Sequence, residues 1–225
     1  MDRDQWTDLP LFPLNTVLFP GMVLPLHIFE ERYKVMVERC LEERRTFGVL
    51  LIREGKEAGG YALPYAVGTT AAIAGTTRLE SGGFDIVSIG IDRFRLHTIH
   101  HHEPYLVGDA EPWPLGDSDS SAAREQAPQV QALFRHYLDQ LIQAQGHRIE
   151  IDEMPVDPLT LALLVAMSLQ LPLVQKQYLL SRDTLLHLLE AEWAIMRREQ
   201  LLLNYIIQTQ ADQWEGGYSG YLARS

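Results

Sequence analysis

Hydrophobic positions follow two different periods in the two halves of the chain. Between Leu9 and Ala110 they come in short runs rich in β-branched and aromatic residues, bounded by Gly, Asp and Pro. Such runs are typical of strands, and the Ser-Gly-Gly at 81–83 is typical of a hairpin turn. The pattern predicts six or more mostly antiparallel strands, including FGVLLIR (47–53), VGTTAAIAG (67–75), FDIVSIGIDRFRLHTI (84–99) and YLVGDA (105–110).

One helix is predicted to interrupt the strands. From Glu30 to about Arg45, apolar residues recur at spacings of three and four, which places them on one helical face. Acidic residues lie in its first turn and arginines in its last, as the helix dipole favours. The predicted apolar face consists of Phe29, Tyr33, Met36, Val37, Cys40 and Leu41.

The second half of the chain has a helical period. Apolar residues from Val130 to Ile142 form one stripe, with Gly146 as a helix stop. Asp157-Pro158 is typical of an N-cap followed by proline in the first turn. The next segment, 159–171, is apolar nearly all round, which predicts a buried helix. Further helices are predicted over 172–180 and from about Asp183 to Gln210.

These elements predict an α+β fold in which a small β-barrel with one inserted helix precedes an α-helical bundle. We expect the barrel subdomain over 8–115 and the helical subdomain over 129–210. The polar stretch 116–128 is predicted to be a linker. The glycine-rich segment 211–225 is predicted to be a flexible tail.

The apolar stretch from Leu9 to Met36 is interpreted as the start of the fold. The eight residues before it carry three acids and one base, whereas a signal peptide begins with positive charge. A membrane helix needs about 20 unbroken apolar residues, and prolines interrupt this stretch every few positions. We therefore expect a cytoplasmic protein without a membrane partner. Cys40 is the only cysteine, which excludes an internal disulfide.

The charge of the chain disfavours nucleic acid as a partner. The formal net charge is −11, from 19 basic and 30 acidic residues. Residues 1–110 alone hold 11 basic and 15 acidic residues, so the strand-rich half is negative too. Phosphate neutralisation dominates nucleic-acid affinity. RNA binding would therefore need a local cluster of Arg78, Arg93 and Arg95.

The opening stretch, LPLFPLNTVLFPGMVLPLHIFEERYKVMV, resembles the start of the N-terminal domain of Lon proteases. The resemblance covers roughly residues 8–205, and its first motif is the most specific part. The matching pieces are Leu9 to Leu14, Phe19-Pro20-Gly21, Leu24 to Glu30, Arg32-Tyr33, Val67-Gly68-Thr69, Gly90 to Arg95, 105–113 and the helical LPLVQKQYLLSRDTLLHLL.

This resemblance implies a barrel of the PUA-like type and a role in recognising unfolded or tagged polypeptides. In full Lon proteases the region precedes an ATPase and a serine–lysine protease domain. A phosphate loop needs Gly-x4-Gly-Lys-Ser/Thr, but around Gly55-Lys56 the first glycine is replaced by Leu50 and the hydroxyl residue by Glu57. We therefore expect a stand-alone, non-enzymatic substrate-binding protein without a cofactor, with a protease or chaperone as a further partner.

Few residues are candidates for catalysis. Cys40 lies on the apolar face of the predicted helix and is interpreted as an inert core thiol. Ser219 does not form a nucleophile elbow, because Tyr221 stands where the second glycine belongs. No catalytic cluster is predicted.

The run His100-His101-His102 raises the question of a metal site. If it extends a strand, His100 and His102 share one face, and His97 or Glu103 could add a third ligand. No ligand spacing matches a known site, and Pro104 indicates a loop. A solvated turn is favoured, and no metal is predicted.

The loop Phe19-Pro20-Gly21-Met22 is a candidate for polypeptide contact, because turns lie at the surface. Phe19 and Met22 either tuck into the barrel, which is favoured, or form an exposed apolar patch suited to unfolded chains.

Arg93 and Arg95 form a second candidate, since both share one strand face opposite Phe94. Either Arg93 pairs with an acid such as Glu30, which is favoured, or the arginines form an edge that contacts an anion or a peptide. The full set of candidate contact residues is Phe19, Pro20, Met22, His27, Arg32, Arg93 and Arg95.

Three functions remain open from the sequence. The first is capture of polypeptides, which an apolar groove between barrel and bundle would support. The second is RNA binding, which a basic, aromatic-lined face would support. The third is an enzyme or small-ligand binder that uses the barrel cavity, which a buried and perturbed carboxylate or histidine would support.

Overall fold

A seven-stranded mixed sheet precedes most of the helices in the part of the chain that the structure describes. The computed structural model describes residues 6–57, 62–144 and 154–218, with side chains in 6–57, 62–140 and 154–201. The elements are β1 (Trp6–Leu14), β2 (Val23–Ile28), α1 (Glu31–Glu43), β3 (Phe47–Gly55), β4 (Ala62–Pro64), β5 (Val67–Arg78), β6 (Phe84–His100), β7 (Leu106–Pro112), α2 (Ser121–Ala144), α3 (Pro158–Ser168), α4 (Leu173–Leu180) and α5 (Leu185–Tyr218).

Strand pairing in the sheet runs in a ring. The order is β1-β7-β6-β5-β3-β4, and β1 also pairs with β3 in parallel. The strands β1, β7, β6, β5 and β3 therefore form a closed ring of pairings. The long β6 pairs with β5, β7 and, over its first half, β2. All of these pairings except β1–β3 are antiparallel, and a hairpin joins β5 to β6, so both predictions are confirmed.

Helix α1 lies where the sequence predicts it. Tyr33, Met36, Val37 and Cys40 are buried along one face, whereas Phe29 and Leu41 stay exposed. Burial raises the pKa of the Cys40 thiol to about 11, as for an inert core cysteine. The helix ends at Glu43 because Arg44 adopts a left-handed conformation, so the arginines follow its last turn rather than lie in it.

The helical half differs from the prediction at both of its ends. Segment 116–128 is helical from Ser121 on, because the Ser120 hydroxyl accepts from Ala123 N at 3.2 Å and the buried alanines of this stretch continue the apolar stripe. Pro128 lies inside α2 with its ring exposed. Within the predicted tail, residues 211–218 are helical. Residues 219–225 lie outside the described residues, as does Gly146, the predicted helix stop.

Sheet and helices share one core. The largest buried cluster joins Val17, Phe19, Leu51 and Val67 to apolar residues of all four helices that follow the sheet. Polar contacts add to it: the Gln177 side chain donates to Val67 O at 3.0 Å. The two halves therefore form one packed unit along this junction. Among the described residues, no helix combines the length and apolar character needed to cross a bilayer.

Candidate functional site

A groove lies at the junction of the sheet and the helices. It has a volume of about 290 Å³, near the lower end of the range typical of ligand pockets. The loop before β2, strand β6, the segment after β7 and helix α3 all contribute to it. Its lining consists of Pro20, Ile91, Asp92, Arg93, Pro114, Leu115, Ser118, Leu159 and Leu163.

Arg93 is the buried charge of this groove. Only 5% of its surface is exposed, and its Nη2 donates to the carbonyl of Arg182 between α4 and α5. Its Nε and Nη1 have no hydrogen-bond partner among the described residues. Burial lowers the pKa of the guanidinium to about 10, although nearby Asp183 opposes the shift, so the group is charged at neutral pH. Pairing with Glu30 is wrong, because Glu30 pairs with Arg32 at 3.0 Å.

Arg95 is held beside the groove by an aromatic ring. Its guanidinium carbon lies 3.2 Å from the centroid of the Trp113 ring, a cation–π contact. Trp113 N donates to Arg93 O at 2.8 Å, which fixes the segment that leads to Pro114 and Leu115. Phe94 is fully buried in a separate apolar cluster, as strand alternation predicts.

The loop 19–22 contributes one residue to the groove. Phe19 is 1% exposed and packs in the shared core, so the exposed-patch interpretation is wrong for it and the buried alternative is correct. Met22 is half-buried against the same core. Two backbone hydrogen bonds hold the turn to β6: Gly21 N donates to Gly90 O at 2.8 Å, and Gly90 N donates to Met22 O at 2.9 Å. Pro20 is therefore the residue of this loop that lines the groove.

His27 and Arg32 lie on a different surface, around β2. His27 Nδ1 is 2.7 Å from Asp85 Oδ1, and its ring stacks on Phe29, which is 61% exposed. Arg32 Nη2 donates to Glu57 O at 3.1 Å. His27 borders a cleft of about 360 Å³ that is separate from the groove.

The histidine run is brought close to two acids that the sequence did not indicate. His100 Nε2 lies 2.9 Å from Asp109 Oδ2, and His102 Nε2 lies 3.3 Å from Asp8 Oδ1. The third ligands considered from the sequence are engaged elsewhere, His97 with Glu111 at 3.4 Å and Glu103 with Arg39 at 2.7 Å.

Sequence reasoning found only part of the groove. Pro20 and Arg93 belong to its lining, whereas the other five candidate contact residues do not. Ile91 was missed because strand alternation does not tell which apolar side chain stays 44% exposed. The one sequence signal for the groove wall formed by α3 was the all-round apolar character of 159–171. Such a helix offers apolar residues both to the core and to a groove.

The chain matches the model of the ATP-dependent protease La (LON) substrate-binding domain over residues 8–198. It therefore belongs to the LON substrate-binding domain family, as the resemblance predicts.

Individual relatives support this assignment. The Lon protease of Anaeromyxobacter dehalogenans is 26% identical over 200 residues, which cover 87% of this chain and 24% of that protein. The chain thus spans about a quarter of the length of the curated Lon protease it matches. A crystal structure of a Lon N-terminal domain protein from Xanthomonas campestris is 28% identical with a TM-score of 0.59, covering 84% of this chain and 98% of that one. The N-terminal domain of a Mycobacterium avium complex Lon protease has a TM-score of 0.64 at 17% identity over 84% of this chain and 98% of that one, which shows the fold alone.

Proposed function

We propose that this chain binds unfolded or tagged polypeptides, without catalysis, in the groove between the sheet and the helices. One observation carries the proposal. The groove combines apolar walls with a buried guanidinium, that of Arg93, whose Nε and Nη1 have no partner among the described residues.

The chemistry of this groove fits an extended polypeptide segment. Unfolded chains expose apolar side chains and main-chain carbonyls that folded proteins keep inside. Ile91, Leu115 and Leu163 offer apolar contact to such a side chain. Nε and Nη1 of Arg93 lie beneath the groove surface, so the guanidinium attracts a carbonyl or carboxylate oxygen of the bound segment by its charge, and a direct hydrogen bond forms when the side chain moves outward. The net charge of −11 does not oppose apolar and main-chain contacts.

Broader aspects of the family's role stay part of the proposal. These are delivery of the polypeptide to a protease or chaperone, a cytoplasmic location and the PUA-like barrel. The ring of pairing through β1, β7, β6, β5 and β3 supports the barrel.

The arginines favour a polypeptide over RNA. Arg93 is buried and Arg95 is covered by Trp113. Arg78 lies at the far end of β5 and pairs with Glu38 at 3.4 Å. These three arginines therefore do not form the exposed basic face that RNA recognition would use.

A charge placed in the groove tests the proposal. We expect Ile91→Asp to weaken binding of a fluorescently labelled, permanently unfolded protein at least tenfold, about 1.4 kcal/mol. The substitution removes an apolar contact and leaves a carboxylate that must lose water when a segment binds. Fluorescence anisotropy measures the affinity. The native protein from which the unfolded one was prepared and a structured RNA serve as competitors, and neither should displace it.

Val156→Asp is the matched control. Val156 is also β-branched and is 91% exposed, but it does not line the groove. This variant should bind the unfolded protein like the wild type. If both variants weaken binding equally, or neither does, the groove is not the binding site. If the wild type fails to bind the unfolded protein, polypeptide capture by this chain is refuted.

A further inference from the structure

The far end of β6 carries a cluster of metal-ligating side chains that lies outside the groove. His100 is the last residue of β6, seven positions beyond Arg93. At roughly 3.3 Å per residue this is about 23 Å along the strand. Asp8 of β1, His102 and Asp109 of β7 complete the cluster.

Donor atoms in this cluster already lie at distances suited to one ion. Ligand atoms of Asp8, His100 and Asp109 all lie within 4.8 Å of one another. His102 Nε2 is 3.3 Å from Asp8 Oδ1, so the fourth donor is adjacent. Around a tetrahedral ion with bonds of about 2.1 Å, neighbouring donor atoms are separated by roughly 3.4 Å. Small side-chain movements would therefore bring Asp8, His100 and Asp109 onto one ion, and rotation of the His102 ring beside Asp8 would add the fourth donor.

The backbone presents Asp8 to the histidines in an uncommon way. The pairing of β1 with β7 shifts register between Trp6 and Leu9, and Asp8 adopts a positive φ of 52°. Bulges of this kind redirect a side chain at the edge of a sheet. Asp8 N also donates to Asp109 Oδ1 at 3.4 Å, which ties the two acidic residues together.

We propose that Asp8, His100, His102 and Asp109 form a binding site for a transition-metal dication such as Zn²⁺. Two imidazoles with two carboxylates suit Zn²⁺, whereas Mg²⁺ and Ca²⁺ prefer oxygen donors alone. The carboxylates offset the charge of the ion.

A cation that contacts the cluster, Arg45, is itself paired. Arg45 Nη2 donates to the backbone oxygen of Asp8 at 2.8 Å, and its Nη1 lies 3.2 Å from Glu43 Oε2. The guanidinium therefore fixes the backbone of the bulge, and Glu43 offsets its charge. A bound ion would fasten the N-terminal strand to the hairpin of β6 and β7.

Calorimetric titration of the untagged, chelator-treated protein tests the site. We expect one equivalent of Zn²⁺ to bind, with no binding of Mg²⁺ or Ca²⁺, and the thermal midpoint of unfolding to rise on binding. His100→Gln should weaken Zn²⁺ binding at least tenfold and abolish the thermal shift.

His27→Gln is the matched control, because it removes another histidine that pairs with an aspartate, Asp85 at 2.7 Å. This variant should bind Zn²⁺ like the wild type. The proposal is overturned if the wild type binds no stoichiometric Zn²⁺. It is equally overturned if a folded His100→Gln/His102→Gln double variant binds as tightly as the wild type does.

Discussion

Replacing Gly90 with alanine is expected to lower the free energy of unfolding by about 3 kcal/mol, at the upper end of overpacking costs. A Cβ at this position would overlap the carbonyl oxygen of Phe19 and lie 3.2 Å from Leu18 Cγ. Neither neighbour can yield easily, because Phe19 is buried in the shared core and the 19–22 turn is hydrogen-bonded to Gly90 itself. Urea unfolding followed by circular dichroism measures the loss.

The same substitution should also affect binding. Moving the Phe19 carbonyl displaces Pro20, which lines the groove, so a folded Gly90→Ala protein should bind unfolded polypeptide more weakly than the wild type. Gly75→Ala is the control. Gly75 lies on β5, the neighbouring strand, and an added Cβ there meets nothing within 4 Å. If the two alanine variants are equally stable, the close approach of the 19–22 loop to β6 does not restrict the size of the side chain at position 90.

The second large effect concerns Glu192, a buried carboxylate of α5. It is fully buried, and neither of its carboxylate oxygens has a hydrogen-bond partner among the described residues. Burial raises the pKa of this carboxyl well above its ordinary value of 4.5. We expect Glu192→Gln to be more stable than the wild type at pH 8 by on the order of 2 kcal/mol, because the variant has no charge to bury.

The pH dependence of this effect has a definite sign. The folded protein binds the Glu192 proton more tightly than the unfolded chain does, so this group lowers stability as pH rises. Its contribution is fully present below pH 4.5, the ordinary carboxyl pKa, and is lost as pH rises through the raised folded value. Denaturant unfolding from pH 4 to pH 8 should therefore show the gap between variant and wild type widening with pH. Glu190→Gln, on the exposed side of the same helix, should show no such widening. A constant gap for Glu192→Gln would mean that the pKa of Glu192 is not raised in the folded protein.

Local patterns in the sequence were sufficient for most of the secondary structure. Short runs of β-branched and aromatic residues, bounded by Gly, Asp and Pro, located the strands, because such side chains suit a strand that buries one face. The spacing of Tyr33, Met36 and Cys40 placed α1 for the same reason, and Asp157 caps α3 by accepting from Thr160 N at 2.8 Å. The start of α2 was missed because alanines such as Ala123 and Ala127 give a weak apolar signal and Pro128 suggests an end. The family was recognisable because the motif from Leu9 to Tyr33 is long and continuous.

Only the tertiary structure decided where the chemistry lies. The groove joins Pro20, Arg93 and Leu163 from distant parts of the chain, and Arg93 became a buried, partly unpaired cation through packing that no local pattern encodes. The same holds for His100, which meets Asp8 and Asp109 only because β1, β6 and β7 are neighbours in the sheet. A sequence determines which face of each element is apolar, since that depends on residues a few positions apart. Which faces and charges then meet depends on strand register and on long-range packing, and these are set by the whole chain at once.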